Sequence, residues 1–289
     1  MDPMARIEEA LEAALVTAEA EGCPPTLAQA LRYGVFPGGA RIRPRLCLAV
    51  AWACGDDDPA LADAAAASIE LLHCASLIHD DLPCFDDAPI RRGKPTVHKV
   101  YGENVAVLAG DALIVLAFET LARGAAASPE RLARLLPIVS GAVGSPHGII
   151  AGQAWECEPQ VELTAYHRAK TGALFAAATV AGAAAAGHDA EPWRALGERL
   201  GEAYQVADDL RDVAADAEEI GKPAGRDAEL GRPSAARELG VTGAIQRFDT
   251  LVAAAVDSIP ACPRANELRG LISLEGKRFL PKSLALRAA

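Results

Sequence analysis

Leu77-Ile78-His79-Asp80-Asp81-Leu82-Pro83-Cys84-Phe85-Asp86-Asp87 ends a long apolar run with a cluster of aspartates. From Pro59 to Asp81 the chain is rich in Ala, Leu and Ile, and the first breaker is Pro83, so this run reads as one long helix with acid at its C-terminal end. The helix dipole is negative at that end, so each aspartate there is misplaced by a few tenths to about 1 kcal/mol. A second cluster lies far along the chain, in Tyr204-Gln205-Val206-Ala207-Asp208-Asp209-Leu210-Arg211-Asp212. Asp208 and Asp212 are four apart on one helix face, where like charges repel. Crowded carboxylates are tolerated when a cation sits between them. Hard divalent ions such as magnesium bind through a few carboxylates plus substrate phosphates. The two clusters therefore point to a metal-bridged diphosphate site, whereas either one alone could be a solvated acidic face.

Helical periodicity extends outward from these clusters. Ile7, Leu11, Ala14 and Leu15 mark a first helix that stops near Gly22 and Pro24-Pro25. Further helices are expected at about 26–33, 41–54, 103–123, 130–141, 146–156, 162–186, 190–219, 241–258 and 264–279. Residues 82–98 read as a charged loop, and Gly221 to Pro233 as a loop punctuated by glycine and proline. No interval resembles a flexible linker, and no repeat of fixed period is visible. One all-α domain over residues 1–289 is expected.

Composition agrees. Of 289 residues, 51% are hydrophobic but only 4% aromatic, so a large core must be built from alanine and leucine, both strong helix formers. The net charge of −11 argues against nucleic acid as a partner, because its phosphates demand a basic face. The seven cysteines are dispersed with no Cys-x-x-Cys pair, which reads as free thiols in a reducing, cytoplasmic setting and makes a zinc site improbable. The N-terminus has no basic segment leading into an apolar run, as a signal peptide would. Thr171 to Gly187 carries no charge, but it is short for a membrane span and mostly Ala and Gly; a closely packed buried helix is expected instead of a transmembrane segment.

Basic residues flank the acidic clusters. Arg91-Arg92-Gly93-Lys94 follows the first; alone it is a basic surface loop, but beside a metal it suits a diphosphate, because the arginine fork matches phosphate oxygens. Lys170 sits in apolar sequence, where a buried ammonium needs an anion. Lys222 follows the second cluster in a loop. His73 lies two turns before Asp80 on the same face, and Gln205 one turn before Asp208.

These motifs together resemble the trans-polyprenyl diphosphate synthase family, which includes farnesyl and geranylgeranyl diphosphate synthases. The resemblance runs from about Leu27 to Pro233. It rests on Gly38-Gly39-Ala40-Arg41-Ile42-Arg43-Pro44, Ser76 to Asp87, Arg91 to Thr96, Gly110-Asp111-Ala112-Leu113, Gly152-Gln153, Lys170-Thr171-Gly172, Gln205 to Asp212 and Gly221-Lys222-Pro223. It implies an all-α bundle around a deep central cavity, as a homodimer, with magnesium, three ions to each active site, as cofactor. It implies that Asp80, Asp86 and Asp208 bind magnesium, supported by Asp81, Asp209 and Asp212. Arg91, Lys170 and Lys222 would hold the allylic diphosphate; Arg43, His73 and Arg92 would hold isopentenyl diphosphate; Thr171 and Gln205 would flank the developing allylic cation. The implied chemistry is ionisation of the allylic diphosphate, attack by the isopentenyl double bond and loss of a proton.

Two departures stand out. Ala40 replaces a lysine usual in the family, which removes an expected contact to isopentenyl diphosphate; either Arg41 compensates or affinity is lower. Ala88-Pro89 replaces further aspartates that many relatives carry. For chain length, Ala75 and Ser76 lie just before the first cluster, where a bulky aromatic stops growth at farnesyl in many relatives. Small residues there favour geranylgeranyl diphosphate, with Leu71, Leu72, Phe118 or a dimer neighbour as alternative floors. The pattern looks like synthases that serve carotenoid and bacteriochlorophyll pathways. Farnesyl diphosphate synthase is the alternative within the same chemistry. A silent partner subunit typically lacks an aspartate motif, and this chain keeps both. A terpene cyclase needs no second diphosphate site.

Overall fold

Residues 2–36, 38–160, 163–214 and 235–280 are described by a computed structural model. In chain order these hold α1 (Pro3–Ala18), α2 (Pro25–Val35), α3 (Ile42–Cys54), α4 (Pro59–Asp80), a short hairpin of β1 (Ile90–Arg91) and β2 (Lys94–Pro95), α5 (Val97–Tyr101) and α6 (Glu103–Gly124). There follow α7 (Pro129–Val143), α8 (Ile149–Trp155), α9 (Leu163–His167), a π-helical turn at Arg168–Gly172, α10 (Ala173–Ala185), α11 (Arg194–Ala214), α12 (Ala235–Asp257) and α13 (Ala265–Lys277). The all-α expectation holds.

The uncharged stretch is the central helix. Every residue of α10 from Leu174 to Ala185 is buried, and α10 packs on α3, α4, α7 and α11. Its small side chains permit close backbone approach: a Cβ on Gly182 would lie 2.3 Å from the Cys47 carbonyl oxygen of α3. Packing at crystal-like density, rather than large apolar side chains, is what holds this layer. One contiguous buried cluster runs from Ile7 in α1 to Ile272 in α13.

The long α4 packs most extensively along α6. Asp58 caps it, accepting the Leu61 amide at 3.2 Å and the Ser128 hydroxyl at 2.7 Å, and Pro59 occupies the first turn, where its missing N–H costs nothing. Among the described residues two helical segments are long and apolar enough to cross a membrane: α4 and the stretch from Glu103 to Ala127 that contains α6. The first is mostly buried inside the protein; the second buries less than half of its apolar window.

Three local differences from the sequence reading stand out. Residues 90–95 form a hairpin within the expected loop, because Arg92 (φ 54°) and Gly93 (φ 76°) both adopt positive φ, as a tight two-residue connection requires. The helix expected over 162–186 is broken by the π turn at Arg168–Gly172. Finally, α12 begins at Ala235 and kinks at Gly240 (φ 70°), so its straight part starts where periodicity placed it.

Candidate active site

α4 stops at Asp80, and the loop after it folds back to satisfy the helix-end carbonyls. The amide of Asp86 bonds to Asp80 O at 3.0 Å, and that of Ala88 to Asp81 O at 3.1 Å. The fold-back brings Asp86 close enough to act electrostatically on Asp80. Burial pushes the Asp80 carboxyl above the usual range, Lys170 opposes this, and Asp86 adds to it. Burial likewise raises Asp81, opposed by its hydrogen bonds from Arg91.

The hairpin delivers the two arginines. Arg91 Nε donates to Asp81 Oδ1 at 2.9 Å, and its Nη2 lies 4.0 Å from Asp80 Oδ2. Lys94 turns away: its Nζ donates to Phe36 O at 2.6 Å and rests 4.1 Å from the Tyr33 ring centroid.

Lys170 and Thr171 sit on the π turn, a local geometry that often marks functional positions. The turn packs directly on α8, where a Cβ on Gly152 would lie 2.5 Å from Lys170 N and 2.6 Å from its Cα. Lys170 Nζ donates to Glu156 Oε1 at 2.6 Å and lies 3.4 Å from Asp80 Oδ1. Glu156 Oε1 also accepts from the Tyr166 hydroxyl at 2.6 Å. The Thr171 hydroxyl donates to Gln205 Oε1 at 3.1 Å.

On α11, Asp208 and Asp209 diverge. Asp208 Oδ1 accepts from Arg211 at 3.0 Å. Asp209 is buried and accepts from Gln205 Nε2 at 3.1 Å and from the Ala235 amide, at the start of α12, at 2.8 Å. Asp209 thus orients Gln205 and anchors α12. The side chain of Asp212, and all of Lys222, lie outside the described residues.

A cavity of about 1010 Å³ joins these groups, at the upper end of the usual range of roughly 300–1,000 Å³ for ligand pockets. Asp80, Asp208, Arg91, Lys170 and Thr171 line its acidic and basic mouth. Arg43, His73 and Arg92 line it as well. Arg43 Nη1 donates to His73 Nε2 at 3.3 Å. That nitrogen therefore accepts, which requires a neutral imidazole. Burial, with Arg43 and Arg92 adding, holds His73 well below its usual pKa. Arg43 is stacked 4.7 Å from the Phe175 ring centroid, and its buried Nε has no hydrogen-bond partner among the described residues. Arg43 itself lines the cavity, and its positive charge there suits an anionic ligand.

Gln205, like Asp81, Asp86 and Asp209, is not among the residues that line this cavity; its amide is engaged by Thr171, which does line it, and by Asp209. Arg41 is no substitute for the missing lysine at Ala40. Its guanidinium is fully buried and bonded to Glu70 at 2.7 Å, Glu8 at 2.8 Å and Val35 O at 3.0 Å. Ala40 itself lines the cavity.

Ala75 and Ser76 line the apolar part of the cavity, with Leu72 a turn further along α4 and with Ile114, Val143 and Ile149 from other helices. Leu71 and Phe118 do not line it. From Asp80 to Leu72 the cavity follows α4 for about 12 Å. Sequence reasoning missed Glu156, Tyr204 and Arg211, although Glu156 lies one helical turn after Gln153 and Tyr204 precedes Gln205.

The donor set fits a hard cation. Asp80 and Asp208 bring carboxylate oxygens to one cavity from different helices. Among the described residues no three carboxylate, histidine or cysteine side chains enclose a point tightly enough to hold a metal by themselves. This suits magnesium, which keeps water and takes substrate phosphate oxygens as remaining ligands.

Comparison with known proteins gives the same direction. Residues 24–254 match the polyprenyl synthetase family. The chain is 57% identical over 282 residues to a geranylgeranyl diphosphate synthase of Cereibacter sphaeroides, covering 98% of both chains. It is 53% identical over 275 residues to one of Rhodobacter capsulatus, covering 95% of both. Among solved structures it resembles a geranyltransferase of Helicobacter pylori complexed with magnesium and isoprenyl diphosphate, with a TM-score of 0.77 and 32% identity over 95% of this chain and 97% of that one.

Proposed function

This chain belongs to the polyprenyl synthetase family, and on that premise we propose how its cavity carries out the family's reaction. The protein is a prenyltransferase that extends an allylic diphosphate with isopentenyl diphosphate to give geranylgeranyl diphosphate. The observation that carries the residue assignments is the convergence on one cavity of Asp80 and Asp208, of the separate Arg43–His73–Arg92 set, and of an apolar extension past Ala75.

Magnesium bound there supplies Lewis-acid neutralisation of the allylic diphosphate as its carbon–oxygen bond breaks. Asp80, Asp86 and Asp208 would hold the metal. Three ions per site are part of this proposal, with substrate phosphate oxygens and water completing their coordination. Lys170, steadied by Glu156, faces the departing diphosphate at the Asp80 side. Thr171, whose hydroxyl proton is committed to Gln205, presents oxygen lone pairs to the allylic cation. Neutral His73, with Arg43 and Arg92, orients isopentenyl diphosphate so that its double bond meets that cation. The proton lost afterwards goes to the released diphosphate. The apolar walls exclude water that would quench the cation.

We further assign a homodimer formed through α6, whose Val107, Leu108 and Val115 are 40%, 55% and 67% exposed along one face. The continuous core supports a single domain, a cytoplasmic setting suits seven free thiols, and the product would feed carotenoid or bacteriochlorophyll synthesis.

The test is a product assay. Purified protein receives isopentenyl diphosphate with dimethylallyl, geranyl or farnesyl diphosphate, with magnesium or with chelator, and the dephosphorylated alcohols are sized. Magnesium-dependent geranylgeraniol is expected. Farnesol as endpoint would keep the mechanism and move the floor, and no consumption of isopentenyl diphosphate would sink the elongation reading.

A further inference from the structure

Arg211 belongs to neither diphosphate set assigned above, yet it lines the same cavity one turn from Asp208. Among the described residues three groups hold its guanidinium. Nη1 donates to Asp208 Oδ1 at 3.0 Å, Nη2 donates to the Phe279 carbonyl at 2.7 Å, and Cζ lies 5.4 Å from the Tyr204 ring centroid. Arg43 shares that ring, its Cζ 5.8 Å from the centroid. Two arginine charges beside one aromatic ring repel each other, and Asp208 offsets only that of Arg211, so an added anion would relieve the pair. Arg43 points the same way, with Nε left without a partner among the described residues.

Asp208 is also placed to serve a metal, and a carboxylate given over to a divalent ion is a weaker partner for arginine. Arg211 would then lose one of its anchors and keep the other two, beside Tyr204 and at the Phe279 carbonyl. A guanidinium has five N–H donors, so most would be free to turn toward an anion held at Arg43. We propose that Arg211 is a further binding residue for isopentenyl diphosphate, held against Asp208 until that carboxylate engages a metal. The inference rests on the elongation reading above. It adds a coupling that reading lacks: occupation of the metal–allylic side raises affinity on the isopentenyl side, because Arg211 is released from one to the other.

The test uses full-length wild type, Arg211→Gln and Arg211→Lys. Losing one charge-assisted contact corresponds to roughly a 10- to 100-fold rise in the KM for isopentenyl diphosphate. The expected pattern for Arg211→Gln is that rise, with kcat and the allylic KM within about threefold of wild type, and partial rescue by Arg211→Lys. Calorimetry gives a readout without turnover. Isopentenyl diphosphate should bind wild type more tightly in magnesium with inorganic pyrophosphate than without both, and Arg211→Gln should lose that gain. Unchanged KM in Arg211→Gln, or loss of melting temperature with all kinetic constants falling together, overturns the proposal and leaves Arg211 as a pin for the chain near Phe279. Wild type that consumes no isopentenyl diphosphate with magnesium overturns the elongation reading itself.

Discussion

Glu156 Oε1 accepts a hydrogen bond from Lys170 Nζ at 2.6 Å, closer than the 3.4 Å that separates the same ammonium from Asp80 Oδ1. The lysine that faces the allylic diphosphate is therefore held by a carboxylate outside both aspartate clusters. Both side chains are about four-fifths buried, so solvent does little to screen the pair. Without Glu156 the ammonium should swing toward Asp80 and compete for a metal position. Glu156→Ala is expected to lower kcat/KM for the allylic substrate by roughly 10- to 100-fold, with Glu156→Asp intermediate. Steady-state kinetics at saturating isopentenyl diphosphate decide the matter, and wild-type values in Glu156→Ala would show that Lys170 needs no such support.

The same turn depends on a missing side chain. A Cβ at Gly152 would lie 2.5 Å from the Lys170 amide nitrogen, and one at Gly182 would lie 2.3 Å from the Cys47 carbonyl oxygen. Both are backbone collisions, so both alanine variants should lose about 1–3 kcal/mol of stability. Only Gly152→Ala displaces the residue that faces substrate. Its kcat should fall at least tenfold at a temperature where both variants remain folded, whereas Gly182→Ala should turn over like wild type. Urea melts and kcat measured on the pair separate the two effects, and equal kcat values would remove Gly152 from the active-site account.

Much of this was legible beforehand, for identifiable reasons. The helices of the core follow from apolar spacing and from Pro and Gly stops, so α4 was expected over 59–81 and ends at Asp80. Both aspartate clusters stood out because carboxylates in apolar helical sequence conflict with their surroundings. What stayed hidden depends on tertiary contact. The π turn at Lys170 packs on Gly152 too closely for any Cβ, a tertiary contact that no local pattern encodes. The hairpin at 90–95 relies on Arg92 accepting positive φ, which residue preference disfavours. Glu156 and Arg211 were ordinary charged residues until the fold set them beside Lys170 and Asp208. Arg41 looked like a site residue by its place in the motif, but the fold buries it against Glu8 and Glu70.

Asp80 should set stability against function. Burial raises its pKa above the unfolded value, with Lys170 only partly compensating. A carboxylate whose folded pKa is raised stabilises the fold at low pH and loses that contribution as pH climbs from the unfolded value through the folded one. At neutral pH without metal, ionised Asp80 is therefore a cost. Asp80→Asn should match or exceed the wild-type melting temperature in chelator, while turnover falls at least about a hundredfold. Calorimetric melts beside a product assay check both halves. A folded Asp80→Asn protein with wild-type turnover would remove Asp80 from the metal set.

His73 gives the opposite slope. Burial and the charges of Arg43 and Arg92 depress its pKa well below the ordinary 6.5. Below pH 6.5 the unfolded chain takes up this proton and the folded chain does not, so the stability contributed by neutral His73 is present above 6.5 and drains away as pH falls toward the folded pKa. Wild type should lose more stability than His73→Gln between pH 7.5 and pH 5.5, the difference between the two isolating this one group. Denaturant midpoints at the two pH values provide the measurement. Parallel losses in both proteins would mean that His73 titrates normally and that its bond from Arg43 is not the neutral form's.

Product length tests the apolar end of the cavity. Ala75 is buried, lines that end and lies five residues before Asp80, about 7.5 Å along α4. A tyrosine there would project into the space beside the growing tail, a turn above Leu72. Its hydroxyl could point along the cavity toward Ser76, so the variant need not leave a buried donor without a partner. Ala75→Tyr is expected to fold and to shift the main product from the twenty-carbon to the fifteen-carbon diphosphate, with consumption of the shorter allylic primers retained. Sizing the alcohols after phosphatase treatment reads this directly. An unchanged profile would place the stop on the other helices, at Ile114, Val143 or Ile149, and would make those positions the next to enlarge.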